Sequence, residues 1–204
     1  MKDILYIVMP AYNEEEVIEK TINVVTKKIN SLIKKKKIAK NSKLLVVDDG
    51  SKDNTLEILK KVKNNYLIIV KLSRNCGHQN AMYAGMMVAK KNADMVITID
   101  ADLQDDINII DEMIDNYNEG NEIVYGVRNN RDTDTFFKRN TAILFYKFMK
   151  FLGVEIIINH ADYRLMSKKS LDALEQYGES NLFLRGIIPQ LGFKTSKVFY
   201  KRLE

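Results

Sequence analysis

Short apolar runs alternate with segments of helical periodicity through the first two thirds of the chain. Each run is brief and is followed by turn-forming or charged residues, a pattern that is typical of buried strands. The runs predict five strands, at Ile4–Met9, Leu44–Val47, Leu67–Leu72, Met95–Ile99 and Ile123–Tyr125.

The segments between these runs have the spacing of amphipathic helices. From Val17 to Leu32, apolar residues recur every three or four positions, which gives the segment one apolar face. Asn13, with Glu16 three residues later, resembles a capping box and is expected to cap this first helix. Three further helices are predicted: one that begins at about Thr55, one that ends at Ala89, and one from about Ile107 to Tyr117.

This order of elements predicts the α/β class, with a mostly parallel central sheet covered by helices on both faces. Ligands of such sheets bind beyond the carboxyl ends of the strands. Polar clusters follow the predicted strands at those ends, namely Asp48 with Asp49, Ser73–Asn75, Asp100–Asp106 and Arg128. We therefore expect a ligand site along this edge of the sheet.

The last third of the chain is less regular. Phe136–Leu152 is predicted to form one helix, rich in phenylalanine but with too many charged residues to span a membrane. It either packs on the domain or lies at a bilayer surface as a basic amphipathic helix, and we favour the second interpretation.

The composition of the 204 residues is that of an ordinary globular domain, with 46% hydrophobic and 29% charged residues. Cys76 is the one cysteine in the sequence, so the chain forms no internal disulfide, which favours a reducing compartment. The net charge of +5 suits either a lysine-rich surface or attraction to anionic headgroups and phosphorylated substrates. No nucleic-acid motif, signal peptide or bilayer-spanning apolar run is visible.

Asp100–Asp106 carries the strongest chemical signal, D-A-D-L-Q-D-D directly after an apolar run. Oxygen-rich side chains suit a hard divalent cation such as Mg²⁺ or Mn²⁺. Such an ion can bridge a diphosphate and offset the charge on a leaving phosphate. The plain alternative is an acidic turn in which Asp105 or Asp106 caps the next helix. The position at a strand end, among other charged loops, favours a metal site.

Two other strand ends carry polar motifs, P-A-Y-N-E-E from Pro10 and V-D-D-G-S from Val47. A carboxylate there can accept hydrogen bonds from a base N–H or a ribose hydroxyl. Asp49-Gly50 also suits a turn, and we expect Asp48 and Asp49 to divide these two tasks. Neither G-x-G-x-x-G nor G-x-x-x-x-G-K-[ST] occurs, which argues against a dinucleotide dehydrogenase and a P-loop protein.

Taken in order, the segments PAYNEE, VVDDGSKDNT, LSRNCGHQNAMYAG, ITIDADLQDD and ADYRLMSKKSLDAL resemble glycosyltransferase family 2. The likeness is greatest to its polyprenyl-phosphate hexose synthase branch, the relatives of dolichyl-phosphate mannose synthase and bactoprenol glucosyltransferase. It extends over nearly the whole chain. It implies a GT-A fold with a Rossmann-like nucleotide-binding half, inverting transfer, a nucleotide-sugar donor, and Mg²⁺ or Mn²⁺ as cofactor.

The resemblance also assigns donor-side roles to residues that match the family's motifs. Asp102 and Gln104 would bind the metal, and Gln104 favours this branch over the broader family. Asp102 would thereby take part in catalysis. The nucleotide sugar would be held by Pro10, Ala11, Tyr12, Glu14, Asp49, Asp100 and Ala101.

On the acceptor side, Arg128 and Arg139 match basic residues that hold the acceptor phosphate, a task for which the guanidinium group is well suited. Asp162 matches an active-site aspartate. It would be the general base for a hydroxyl acceptor, whereas for a lipid phosphate, which is already anionic, it would position the acceptor or Arg164. His78 stands where the family frequently has a lysine.

The resemblance implies one catalytic domain over residues 1–204, with a nucleotide-sugar half at about 1–127 and an acceptor half at about 128–204. We expect transfer of a hexose, from UDP-glucose rather than GDP-mannose, to undecaprenyl or another polyprenyl phosphate for the cell envelope. The site would be the cytoplasmic face of the cell membrane, and the chain would act at the membrane surface. We expect no nucleic acid partner and allow a homo-oligomer.

Three other functions stay open at this stage. A family 2 transferase could act on a hydroxyl of a polysaccharide or protein, a binding module could sense nucleotide sugars without turnover, and a nucleotidyltransferase would share the sheet and metal. The C-terminal membrane segments common in this branch are expected to be absent or truncated.

Overall fold

The structure is a computed structural model and describes residues 2–129, 160–177 and 183–202. Its strands are β1 (Leu5–Ala11), β2 (Lys43–Asp48), β3 (Leu67–Lys71), β4 (Met95–Thr98), β5 (Ile123–Arg128), β6 (His160–Ser167) and β7 (Thr195–Tyr200). Within these ranges they form one sheet, in the order β3-β2-β1-β4-β6-β5-β7. Neighbours pair in parallel except at β6, which is antiparallel to β4 and β5.

Helices cover both faces of this sheet. They are α1 (Ile18–Lys34), α2 (Thr55–Lys61), α3 (His78–Ala89), α4 (Ile110–Asn118), α5 (Lys168–Glu175) and α6 (Leu184–Gln190), with a 3₁₀ turn at Ile107–Ile109 before α4. Side chains alternate along a strand, so β1 supplies both cores. Leu5 and Ile7 pack with α1 and α4, whereas Tyr6 and Val8 pack with α3, α5 and α6. The predicted α/β class and mostly parallel sheet are confirmed.

Strand β6 was not predicted from the sequence. It lies inside the sheet, between β4 and β5, and its described side chains from Asp162 to Ser167 are buried. Asp162 and Arg164 interrupt its apolar pattern, which hid the strand. Because the strand runs in reverse, its amino end lies at the edge where β1, β2 and β4 end, which brings Asp162 to the expected ligand edge.

The expected cap of the first helix was wrong. Helix α1 begins at Ile18, and Val17 precedes it without a side-chain cap. Asn13 adopts a positive φ of 57°, and its Oδ1 accepts a hydrogen bond of 2.8 Å from the Lys52 amide. The reason is that Asn13 joins two loops at the ligand edge instead of ending a helix. The cap at Asp106 is confirmed, since its carboxylate accepts from the Asn108 amide.

Helix α2 begins at Thr55 and α3 ends at Ala89, as predicted. The fifth strand extends three residues further than predicted, to Arg128. The predicted helix at Phe136–Leu152 and the predicted phosphate ligand Arg139 lie outside the described residues. Among the helices that are described, none has the length and apolar character needed to cross a membrane.

Candidate functional site

A cavity of about 340 Å³ opens at the carboxyl ends of β1, β2 and β4, beside the first turn of α3. Such an edge is the usual ligand position in open α/β sheets. The loops after β1, β2, β3 and β4 and the start of one helix contribute its walls, so residues far apart in sequence meet here. The lining residues are Pro10, Ala11, Tyr12, Glu14, Asp49, Asn75, Gly77, His78, Ala81, Asp100, Ala101 and Asp102.

Asp49 holds one wall of this cavity in place. Its carboxylate accepts hydrogen bonds from the backbone amides of Cys76, at 2.7 Å, and Gly77, at 2.9 Å. The loop can come this close because Gly50 has no side chain: a Cβ there would lie 2.6 Å from the backbone carbon of Arg74. Asp49 therefore shapes the site as well as lining it.

The loop after β1 is joined to the loop after β2. The Asn13 amide donates to Ser51 Oγ at 3.1 Å, and the Glu14 amide donates to Thr55 Oγ1 at 2.8 Å. Burial and the charges of nearby aspartates, Asp102 foremost, raise the pKa of Glu14. The two loops thus form one connected rim on which negative charge is crowded.

The loop after β4 brings further carboxylates to the same place. Burial raises the pKa of Asp100; the nearby His78 opposes this rise, and the charges of Asp105, Asp162 and Asp102 add to it. Asp100 Oδ1 is buried and accepts no hydrogen bond from the described residues, and the same is true of Gln104 Oε1. Asp100 Oδ1 does have a charged neighbour, since His78 Nε2 lies 3.4 Å from it.

These residues fit the expected divalent cation. Asp102 is half-exposed, at 42% of its side chain, and Gln104 lies in the same loop. The described residues hold no cluster of three or more histidine, cysteine or acidic side chains that could bind an ion unaided. The expected donor set would be the Asp102 carboxylate and the Gln104 amide oxygen, hard oxygens that suit Mg²⁺ or Mn²⁺ completed by water and phosphate oxygens.

Asp162 lies at the centre of a group of cationic side chains. It is 4% exposed and pairs with Arg164, which is fully buried, and with Arg185 at 2.9 Å. Gln79 donates to it at 3.1 Å, and His78 Nε2 lies 3.7 Å away. Burial alone would raise the pKa of Asp162, but His78, Arg185 and the charge of Arg164 outweigh it and hold the pKa well below its usual value.

His78 lies between two carboxylates of the site, Asp100 and Asp162. Its Nε2 lies 3.4 Å from Asp100 Oδ1 as well as near Asp162. Asp162 raises the pKa of His78; burial opposes this, and Asp100 supports it. The two carboxylates therefore favour the protonated form of His78.

Arg128 pairs with Asp105, a carboxylate in the loop after β4. Its Nη2 donates to Asp105 Oδ1 at 2.9 Å, and its Nε donates to the Tyr200 hydroxyl at 3.1 Å. Asp105 is buried, and about a quarter of the Arg128 side chain, 28%, is exposed. The expected role of Arg128 on an acceptor phosphate stays a prediction.

The residues expected to hold the nucleotide sugar all line one cavity. Asp162 does not line it, but lies beside His78, which does. Gln104 does not line the cavity itself, although it lies two residues beyond Asp102. Sequence reasoning missed three contributors, Gln79, Arg185 and Tyr200. Gln79 lies within a matched segment, beside His78, and was passed over; Arg185 and Tyr200 lie outside the matched segments, and only the tertiary fold reveals them.

A sequence profile for the family described as Glycosyl transferase family 2 matches residues 6–175. The uncharacterized glycosyltransferase YkoT of Bacillus subtilis is 53% identical over 203 residues, which cover 98% of this chain and 60% of that protein. A prophage bactoprenol glucosyl transferase homolog of Escherichia coli is 35% identical over 201 residues, which cover 97% of this chain and 63% of that protein. The chain thus spans about three fifths of the length of these relatives.

A solved structure of similar fold is the mannosyltransferase PcManGT from Pyrobaculum calidifontis in complex with GDP-Man and Mn²⁺. The match has a TM-score of 0.66 at 17% identity and covers 97% of this chain and 55% of the other. This likeness concerns the fold, and it confirms the expected GT-A architecture. The expected family resemblance is confirmed as well. This chain belongs to glycosyl transferase family 2.

Proposed function

We propose that this chain transfers a hexose, with inversion, from UDP-glucose to a polyprenyl phosphate at the cytoplasmic face of the cell membrane. One observation carries the proposal: the loops after β1, β2, β3 and β4 converge on one cavity that Asp49, Asp100 and Asp102 line, and Gln104, two residues beyond Asp102, has a buried side-chain oxygen without a hydrogen-bond partner among the described residues. The relatives named bactoprenol glucosyl transferase support the choice of sugar and lipid.

The donor side follows from the geometry of the cavity. The nucleoside would lie between the β1 loop and the loop held by Asp49, and the diphosphate would extend toward Asp100 and Ala101. Asp102 and Gln104 would hold Mg²⁺ or Mn²⁺, whose charge offsets the negative charge that develops on the departing diphosphate. Orientation of the two substrates by the cavity walls contributes much of the remaining rate.

The acceptor side favours a phosphate over a hydroxyl. A hydroxyl acceptor needs a general base, and such a base works best with a pKa near the operating pH. The cations around Asp162 lower its pKa far from that range, so Asp162 is a poor base. A lipid phosphate is already anionic and needs none. We therefore assign Asp162 the task of holding Arg185 and His78 in position.

The test is a panel of radiolabelled nucleotide sugars, assayed with Mn²⁺ and either a short polyprenyl phosphate or the matching polyprenol. We expect a labelled lipid from UDP-glucose and the phosphate, and none from the alcohol. Transfer to the alcohol would support a hydroxyl-directed enzyme. Donor binding without transfer or hydrolysis would support a sensing module, and either result would overturn the proposal.

A further inference from the structure

The loop that carries the expected metal ligands has a strained backbone. Leu103, between Asp102 and Gln104, has a φ of 56°, in the left-handed region that a branched side chain rarely adopts. A residue persists in such a conformation only when its surroundings impose it. Part of this restraint is local, because the Gln104 amide donates to Asp102 Oδ1 at 3.0 Å across Leu103, and residues outside the loop add further contacts.

Asp105 ties this loop to the far end of the sheet. Its Oδ1 accepts hydrogen bonds from Arg128 Nη2 at 2.9 Å, from Arg128 Nε at 3.2 Å, and from the Tyr200 hydroxyl at 2.5 Å. Arg128 and Tyr200 are direct partners in the register of β5 and β7, so two adjacent strands present their donors to one oxygen. Charge-assisted hydrogen bonds of this kind are stronger than neutral ones.

A second attachment lies one residue further along. The Tyr163 hydroxyl donates to the backbone oxygen of Asp106 at 3.2 Å. The Tyr163 and Tyr200 rings pack edge to face, with centroids 5.6 Å apart, which fixes the direction of both hydroxyls. Residues of β5, β6 and β7 therefore all contact the end of the Asp100–Asp106 loop. In the sheet these strands lie on one side of β4, and β1 and β2 lie on the other.

We propose that Tyr200, Asp105 and Arg128 form a clamp that holds the Asp100–Asp106 loop in its strained, ion-binding conformation. Tyr200 is a positioning residue, since it acts on the metal and diphosphate through Asp105. The clamp gives Arg128 a task besides the acceptor contact expected of it. The inference about the loop stands on geometry, whereas its consequence for metal binding rests on the proposed function.

The clamp is tested with Tyr200→Phe, which keeps the ring against Tyr163 and removes the hydroxyl alone. Hydrogen exchange of the metal-free protein is the first measurement. We expect amides of residues 100–106 to exchange about tenfold faster, with little change in the core strands. Tyr66→Phe is the matched control, because Tyr66 lies at the amino end of β3, on the opposite edge of the sheet. Asp105→Asn is a second variant, expected to act in the same direction.

The second measurement is binding of Mn²⁺ in the presence of UDP, followed by the electron paramagnetic resonance signal of free Mn²⁺. We expect about tenfold weaker binding in Tyr200→Phe and none of this loss in Tyr66→Phe. Unchanged loop exchange in both Tyr200→Phe and Asp105→Asn would overturn the clamp. Faster loop exchange with unchanged Mn²⁺ affinity would keep the clamp and remove its link to metal binding. Absence of Mn²⁺ binding in the wild type would count against the proposed function instead.

Discussion

Asp162 is a buried carboxylate surrounded by cationic side chains. Arg164 is fully buried beside it, and two of the Arg164 guanidinium nitrogens have no hydrogen-bond partner among the described residues. Among the described residues, Asp162 is the carboxylate that forms an ion pair with this buried cation. Removing one partner of a buried ion pair leaves the other uncompensated, which is costly.

We therefore expect Asp162→Asn to lower the free energy of unfolding at pH 7 by about 3 kcal/mol, measured by urea unfolding. The pKa of Asp162 is lowered in the folded state, so its contribution is complete above the ordinary carboxyl pKa. It declines as the pH falls below about 4, because the unfolded chain then takes up a proton that the folded chain does not. The difference in free energy of unfolding between the wild type and Asp162→Asn should therefore become smaller as the pH falls below about 4.

Asp172→Asn is the matched control for this prediction. Asp172 also pairs with a cation, Lys90, at 2.8 Å, but about half of its side chain is exposed, at 53%. Exposed ion pairs contribute about 1 kcal/mol or less. Equal losses in the two variants, or a gap for Asp162→Asn that widens in acid, would contradict the account of Asp162.

Gly50 lies so close to the backbone of Arg74 that a side chain at this position would clash with it. Its φ is +69°, and an added Cβ would lie 2.6 Å from the Arg74 backbone. We expect Gly50→Ala to destabilise the protein by about 2 kcal/mol or more and to weaken nucleotide binding, because the loop held by Asp49 must move. Urea unfolding and nucleotide titration measure the two effects.

Gly120→Ala separates strain from crowding. Gly120 has a φ of +85°, but a Cβ there would meet nothing within 4 Å. The expected cost is backbone strain alone, about 1 kcal/mol, with nucleotide binding intact. If both glycine variants lost the same stability and neither altered nucleotide binding, the role assigned to Gly50 would be wrong.

At the scale of elements, helix α3 positions the centre of the site. Its first turn carries His78 and Gln79 toward Asp162, and its body packs closely on β1 and β2. The close packing depends on Gly85, where a Cβ would lie 2.5 Å from Val8 Cγ1 and 2.7 Å from Val47 Cγ2. The distance between helix and sheet therefore decides where His78 lies.

We expect Gly85→Ala to cost about 2 kcal/mol of unfolding free energy, because the helix must lift from the sheet. Adding Val47→Ala should restore part of this stability by removing one of the two methyl groups in the way. Val88→Ala, at an exposed position on the same helix, should have little effect. Purely additive losses in the double variant would show that the contact with Val47 does not limit packing.

An element could be predicted from the sequence when its apolar pattern is uninterrupted or a recognisable motif follows it. Strands β1 and β2 are uninterrupted apolar runs, and the loops after them carry short motifs, so both strands and motifs were found. Strand β6 carries Asp162 and Arg164 in a central position of the sheet, so its apolar pattern is broken and it was missed. The partners Arg185 and Tyr200 come from α6 and β7, and no local pattern links them to the site.

Over the whole molecule, one edge of the sheet gathers both charge types. Carboxylates from the β1, β2 and β4 loops line the cavity, and Arg128, Arg185 and His78 pair with carboxylates at or beside it. Six strands run in the same direction and end at this edge, and the reversed β6 begins there. The expected division near residue 127 stays a prediction, since both parts of the chain supply side chains to this edge.

The proposed function requires a divalent ion at Asp102 and Gln104 to join the nucleotide diphosphate to this edge. Calorimetric titration of UDP into the protein, with Mn²⁺ and then with EDTA, tests it most directly. We expect binding about tenfold or more tighter with Mn²⁺, an advantage lost in Asp102→Asn and kept in Asp111→Asn, where Asp111 normally pairs with Lys28 of α1 and with Lys35, which follows that helix. Equal UDP affinity in Mn²⁺ and EDTA would contradict the account.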